Sequence, residues 1–170
     1  MLFRSGCYID LFDAEKDRYP YPDGRFDMVL CCELLEHLSF DPMHMMAEIN
    51  RVLKQGGHLV LTTPNITSLR ALEAVLQGSH PGLYSAYIKP DAQGWAEPRH
   101  NREYAPPDLK ALFESAGFEV TLMETGWYWQ PTAEDKIRNE RMTAWLRQRD
   151  RKSTRLNSSH IQKSRMPSSA

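Results

Sequence analysis

The stretch F-D-M-V-L-C-C-E-L-L-E-H-L-S-F-D-P, from Phe26 to Pro42, decides how this chain is read. Phe26 to Cys32 is a near-continuous apolar run, the pattern of a parallel strand buried on both faces. It runs directly into Glu33, Glu36 and His37, all within five residues. A strand that only had to turn would end in Gly, Asn or Asp, which accept turn geometry at little cost. Two carboxylates and an imidazole at that point call for a chemical reason.

Downstream, Asp41 is placed to cap a helix with Pro42 at its first position. Met45, Met46, Ile49, Val52 and Leu53 then recur at helical spacing and form one apolar stripe, read as core filling. Gly56-Gly57 is expected to stop that helix. His58 to Thr63, H-L-V-L-T-T, is a strand ended by Pro64. Leu69, Leu72, Val75 and Leu76 mark a helix closed by Gly78. Residues 79–105 have no period and hold Tyr84, Tyr87, Trp95 and His100. Pro106-Pro107 opens a further helix with Leu109, Leu112 and Phe113 inward, ended by Gly117. Phe118 to Glu124 alternates strictly, as a strand with one wetter face does. An amphipathic helix is expected from Ala133 to Arg149.

Upstream, Cys7 to Phe12 is a short candidate strand, followed by a loop broken at Pro20, Pro22 and Asp23-Gly24. Strand and helix alternate along the chain, which argues for an α/β fold with a mainly parallel sheet. Ligands of such sheets bind beyond the carboxyl ends of the strands. Glu33, Glu36 and His37 lie at such an end.

The chain has 170 residues, enough for one domain. No apolar run approaches the roughly 20 residues of a membrane helix. Met1 to Gly6 lacks the apolar region of a signal peptide. Three cysteines, Cys31 and Cys32 adjacent among them, make no disulfide framework and favour a reducing, cytoplasmic setting.

The net charge of −1 hides an asymmetry. Residues 150–170 carry five Lys/Arg, one acid and six serines, with no structural period. A solvated basic tail and a nucleic-acid arm are the two ordinary readings of such a segment. Its blocks D-R-K-S-T-R-L-N-S-S-H and S-R-M-P-S-S-A also resemble the conceptual translation of a sequencing-library adapter, with I-Q-K at the variable index. The expected organisation is therefore a partial domain over 1–149 and a disordered, artefactual tail over 150–170. Residues 1–149 carry 16 Lys/Arg against 21 Asp/Glu, so no affinity for nucleic acid is expected.

One ordered block is more specific than its parts. Y-P-D-G-R-F-D-M-V-L-C-C-E-L-L-E-H-L is followed by E-I-N-R-V-L-K-Q-G-G-H-L-V-L-T-T-P-N, and later by R-E-Y-A-P-P-D-L-K-A-L-F-E-S-A-G-F-E-V. From about Cys7 to Glu124 the chain resembles a class I S-adenosylmethionine-dependent methyltransferase. The resemblance implies a Rossmann-like, doubly wound sheet with the cofactor across the carboxyl ends of its first strands. Asp13-Ala14 match the family's acidic pair, where the carboxylate accepts from the adenine amino group and the next N–H meets the ring. Cys31 and Cys32 match the strand end beside the cofactor's methionine part. The family's glycine-rich G-x-G-x-G loop and its ribose-binding acid have no counterpart here. The expectation is a partial sheet lacking its first strands, and a fragment that binds cofactor weakly and is inactive.

If the turn after Cys32 is helical, Glu33, Glu36 and His37 share one face at spacings of three and four. The pattern E-x-x-E-H also resembles a metal-binding subset of the superfamily, which includes small-RNA 2′-O-methyltransferases and some ubiquinone-pathway O-methyltransferases. That resemblance implies a metal set of Glu33, Glu36, His37 and His100, with Mg²⁺ or Zn²⁺ as the ion. His37 alone is the natural general base, since imidazole titrates near neutrality. A purely structural role, ordering the loop, stands beside both. Tyr84, Tyr87, Trp95 and the W-Y-W at Trp127 to Trp129 are candidate lining of an acceptor pocket, or core cover.

The expected function is transfer of a methyl group from S-adenosylmethionine to an oxygen or nitrogen of a small-molecule or glycan-type acceptor. The rivals are a non-catalytic Rossmann-like binding domain and a nucleotide-dependent oxidoreductase or epimerase. The last needs G-x-G-x-x-G after a strand, which the chain does not contain.

Overall fold

In the computed structural model, which describes residues 8–83, 89–94, 99–127, 130–149 and 159–165, the opening stretch is a strand, β1 (Phe26–Cys32), followed by a 3-10 turn (Leu35–His37). Helix α1 (Met43–Val52) leads straight into β2 (Leu53–Pro64). Then come α2 (Leu69–Leu76), α3 (Pro106–Ser115), β3 (Glu119–Gly126), α4 (Ala133–Arg149) and β4 (Ser159–Arg165). The sheet order is β1-β2-β4-β3. β1 and β2 are parallel, and β4 is antiparallel to both of its neighbours. β1, β2 and β3 therefore run in one sense, as in the partial α/β sheet expected, while the two pairings made by β4 are antiparallel and make the sheet mixed.

The core is built where the apolar periods place it. Met45, Met46, Ile49 and Val52 of α1 are buried in one cluster with Leu53, Leu59 and Leu61 of β2. Leu109 and Phe113 of α3 join the same cluster, with Phe113 edge-on to Phe118 at 6.1 Å. Each such side chain, fully buried, contributes roughly 1.5–3 kcal/mol.

Four expectations are corrected. Helix α1 starts one residue late, at Met43, and Asp41 serves it by accepting the Met43 N–H at 2.8 Å. Gly56-Gly57 does not stop α1. The N–H groups of Gly24 and Arg25 take the carbonyls of Arg51 and Val52, at 2.9 and 2.8 Å, so the loop before β1 ends the helix. Gly57 instead lies in β2, where the pairing with β1 shifts register between Phe26 and Met28. A Cβ there would lie 2.8 Å from the Lys54 carbonyl oxygen, so only glycine fits. Residues 8–12 form no strand, and Cys7 lies outside the described residues. Finally, β1 is not buried on both faces. It is an edge of the sheet among the described residues, and Met28 and Leu30 are 53% and 66% exposed.

The stretch expected to be a disordered tail contributes β4. Its backbone spans β2 from His58 to Pro64 on one side and β3 from Glu119 to Gly126 on the other. Two strands that run the same way but do not touch leave two rows of unpaired N–H and C=O groups, which accept a strand of almost any sequence. Tyr84, Tyr87, Trp95, Tyr128 and Trp129 fall outside the described residues. Among the described residues, no helix is long and apolar enough to cross a membrane.

Candidate active site

The site begins where β1 ends. Glu33 donates its N–H to Thr62 O at 2.9 Å, one step past the strand. Its φ of 52° puts it in the left-handed region, where a residue with a Cβ is held only under constraint. This reversal feeds the 3-10 turn and turns Glu36 inward, where its side chain is fully buried.

Glu36 is held by β2. The Thr63 hydroxyl donates to Glu36 Oε2 at 2.9 Å. The other oxygen, Oε1, is buried with no hydrogen-bond partner. Burial pushes the Glu36 carboxyl above its ordinary range, while the Thr63 hydrogen bond pulls the other way. An unsatisfied buried carboxylate oxygen is costly and asks for a partner.

Two imidazoles face that oxygen. His37 Nδ1 is 3.0 Å from Arg99 O, and His100 Nδ1 is 2.8 Å from Glu103 Oε1. A carbonyl and an ionised carboxylate only accept, so each Nδ1 carries a proton, and in the neutral ring it is Nε2 that carries the lone pair. His37 Nε2 lies 4.0 Å and His100 Nε2 3.9 Å from Glu36 Oε1. The rings meet edge to face at 4.9 Å, and the three donor atoms lie within 4.8 Å of one another. Three lone-pair donors aimed at one point are mutually repulsive unless a proton or a cation sits among them.

The segment bearing His100 is stitched to the turn. The Asn101 and Arg102 N–H groups both donate to Glu36 O, at 2.8 and 3.1 Å. The Asn101 side chain adds a bond to His37 O at 2.8 Å.

Of the four residues expected at a metal, three converge. Glu33 is not in the group, because the turn starts only at Leu35; its charge acts on Glu36 from outside. His44 bonds the Asp17 carbonyl at 3.0 Å and His80 the Gly82 N–H at 3.0 Å, both elsewhere. Of the four residues expected at the cofactor, Ala14 and Cys31 line one apolar groove of about 320 Å³, with Phe12, Tyr19 and Leu34. Burial pushes the Cys31 thiol up to about 12, so it is a wall and not a nucleophile. Cys32 is exposed and does not line the groove. Asp13 is not a lining residue either; its Oδ1 accepts the Glu15 N–H at 2.8 Å, which holds its carboxyl below the usual range. Sequence reasoning missed Thr63, Asn101 and Glu103. The one available signal was a polar residue closing an apolar strand, in L-T-T-P.

A methyltransferase domain model matches residues 5–122. The protein named "Probable S-adenosylmethionine-dependent methyltransferase" of Mycolicibacterium smegmatis is 29% identical over 112 residues, covering 66% of this chain and 36% of that one. The ubiquinone biosynthesis O-methyltransferase of Thiobacillus denitrificans is 35% identical over 101 residues, covering 52% of this chain and 42% of that one. Among solved structures, a SAM-dependent methyltransferase of Archaeoglobus fulgidus aligns over 91% of this chain and 65% of its own, with a TM-score of 0.57 and 18% identity. One from Methanosarcina mazei aligns over 92% of this chain and 66% of its own, with a TM-score of 0.55 and 16% identity. These structures share the fold. The chain spans well under half the length of these two curated relatives.

Proposed function

We propose, from the premise that this chain belongs to the class I S-adenosylmethionine-dependent methyltransferase family, that the whole protein methylates an oxygen of a small-molecule acceptor beside a divalent cation held by Glu36, His37 and His100. The observation that carries this reading is the convergence of Glu36 Oε1 and the two Nε2 atoms, with Oε1 buried and unpartnered. The O-methyltransferase names among the relatives support the choice of oxygen. So does the chemistry: an amine acceptor already offers a lone pair, whereas a hydroxyl must lose a proton. A hydroxyl-bearing glycan meets the same requirement.

The residues fit the ion. Each imidazole has its Nδ1–H anchored, by a carbonyl or a carboxylate, the arrangement that fixes a metal-ligating histidine. One carboxylate with two imidazoles suits Zn²⁺ better than Mg²⁺, which prefers oxygen ligands. A bound cation would acidify the acceptor hydroxyl. S-adenosylmethionine would supply an electrophilic methyl: the O–CH3 bond would form as the S–CH3 bond breaks, with S-adenosylhomocysteine as the leaving group and the hydroxyl's proton released to water. The chain's own part is positional. Ala14 and Cys31 shape the groove assigned to the cofactor, and the turn after β1 sets the acceptor's reacting end beside it.

A second reading has one observation in its favour. His37 is 33% exposed at its side chain, and with Nδ1 anchored its Nε2 is the nitrogen left to face an acceptor, so it serves as a general base without a cation.

Methyl transfer to a panel of phenolic and catecholic acceptors, with and without EDTA, separates the two. The cation reading expects EDTA to abolish turnover, Zn²⁺ to restore it, and Glu36→Ala to prevent the rescue. Turnover indifferent to EDTA but lost in His37→Ala moves the assignment to the base. Activity that falls only in step with stability removes both.

A further inference from the structure

Glu103 has no part in the functional reading above beyond holding a ring, yet its environment is unusual. Its side chain is 4% exposed. One oxygen, Oε1, accepts from both His100 Nδ1 at 2.8 Å and the Leu83 N–H at 2.6 Å. The other, Oε2, is buried without a hydrogen bond and has the Arg70 guanidinium at 3.8 Å. Arg70 itself donates to Gly82 O at 3.2 Å. Glu103 thus ties three places together: the ring of His100, the chain at Gly82 and Leu83, and α2 through Arg70.

We propose that Glu103 is a positioning residue. It fixes His100 in the tautomer that points an Nε2 lone pair at Glu36, and it couples that ring to the Gly82–Leu83 loop.

The argument is one of type and charge. A neutral amide would satisfy the Leu83 N–H equally well, without the cost of burying a charge. A carboxylate does two things an apolar residue cannot. It accepts only, so it excludes the opposite tautomer of His100. Its negative charge also favours a cation on the far side of the ring that it bonds, as carboxylates behind metal-ligating histidines do. Oε2 is left facing Arg70 at a distance too long for a good hydrogen bond. A residue kept only for packing has no use for that buried oxygen, whereas a charge-bearing support sets it against the Arg70 guanidinium.

The coupling to Leu83 has its own consequence. Leu83 ends the described loop that follows α2. Movement of this loop must either carry Glu103 along or break the 2.6 Å bond, so the loop and the His100 ring share one anchor. A group binding near the loop therefore acts on the orientation of His100 through a single carboxylate.

Two arms test this, one of which does not need the cation reading on which the other rests. Nitrogen NMR of the metal-free chain reports the His100 tautomer directly. The proposal expects the Nδ1–H form in the wild type, kept in Glu103→Gln, whose carbonyl still accepts, and lost or mixed in Glu103→Leu. An Nε2–H tautomer in the wild type, or an unchanged tautomer in Glu103→Leu, overturns it. In the second arm Co²⁺ is titrated calorimetrically and by its visible spectrum. Glu103→Gln is expected to weaken Co²⁺ about 10-fold with the spectrum kept, and Glu103→Leu about 100-fold with it altered. Equal Co²⁺ affinity in all three also overturns the proposal. If the wild type binds no Co²⁺ while the tautomer follows Glu103, the cation reading fails and Glu103 stands as the group that positions His100 as a base or hydrogen-bond partner.

Discussion

Thr63 and Glu36, twenty-seven positions apart, meet inside the core, where the hydroxyl donates to Oε2 across 2.9 Å and leaves Oε1 bare. The hydroxyl stands in for one of the water molecules that a carboxylate loses on burial. Thr63→Val keeps the shape and removes the donor. It is expected to destabilise the metal-free protein by about 1–3 kcal/mol, the cost of an unsatisfied buried polar group. Urea unfolding near neutral pH measures it, and unchanged stability would show that Glu36 finds its partner elsewhere.

Glu33 tests the boundary of the site. It stands outside the converging group and pays conformational strain at φ 52°. Glu33→Gly relieves that strain at some entropic cost, so stability should stay level or rise by up to about 1 kcal/mol. Zn²⁺ stoichiometry should not change. Loss of the ion in this variant would return Glu33 to the ligand set.

Acid sensitivity should be written mainly in Glu48. Its carboxylate takes Arg51 at both oxygens, at 2.9 and 2.7 Å, and the Tyr19 N–H at 2.7 Å. The Arg51 hydrogen bonds hold its carboxyl down at about 2, against an ordinary 4.5. A group depressed on folding stabilises the protein above its unfolded value, and that contribution fades as pH falls through the folded one. Melting temperature should therefore drop between about pH 4.5 and pH 2 in the wild type. Glu48→Gln should flatten that limb and cost about 1.5–3 kcal/mol at pH 7. A limb of the same steepness in the variant would assign acid unfolding to other carboxylates.

Gly57 makes a steric prediction free of any charge. A methyl group there meets Lys54 O at 2.8 Å, Leu53 Cδ2 at 3.1 Å and Asp27 O at 3.2 Å. Two of these are backbone and cannot turn aside, so Gly57→Ala should cost about 1–3 kcal/mol. Gly24→Ala, whose nearest neighbour is at 4.0 Å, should lose stability only through its φ of 61°. Denaturation midpoints of the two variants compare the mechanisms side by side.

How much of this was legible depends on what each feature rests on. The strands from Phe26 and from Glu119, and the helices from Pro106 and Ala133, follow from apolar period and breakers, which are local properties. Glu36 and His37 were legible because their types are rare in so small a space, and His100 joined them only through the resemblance to a metal-binding family pattern. Glu33 was misplaced with them on the assumption of a helical turn, whereas the chain reverses at Glu33 before the turn begins. Thr63, Asn101 and Glu103 were not legible. A threonine or glutamate becomes a partner only when another segment arrives, and nothing local announces it. The same is true of β4, which lies between β2 and β3 although no period in its own sequence marks a strand.

The stitch between the turn and the segment 99–102 also makes a built-in gauge. Asn101 and Arg102 lie in an irregular, solvent-facing stretch, where amide protons ordinarily trade with water quickly. Here both are bonded to the carbonyl of the buried Glu36. Their protons exchange when these two bonds open, so their exchange rate times the parting of the segment that bears His100 from the turn that bears Glu36 and His37.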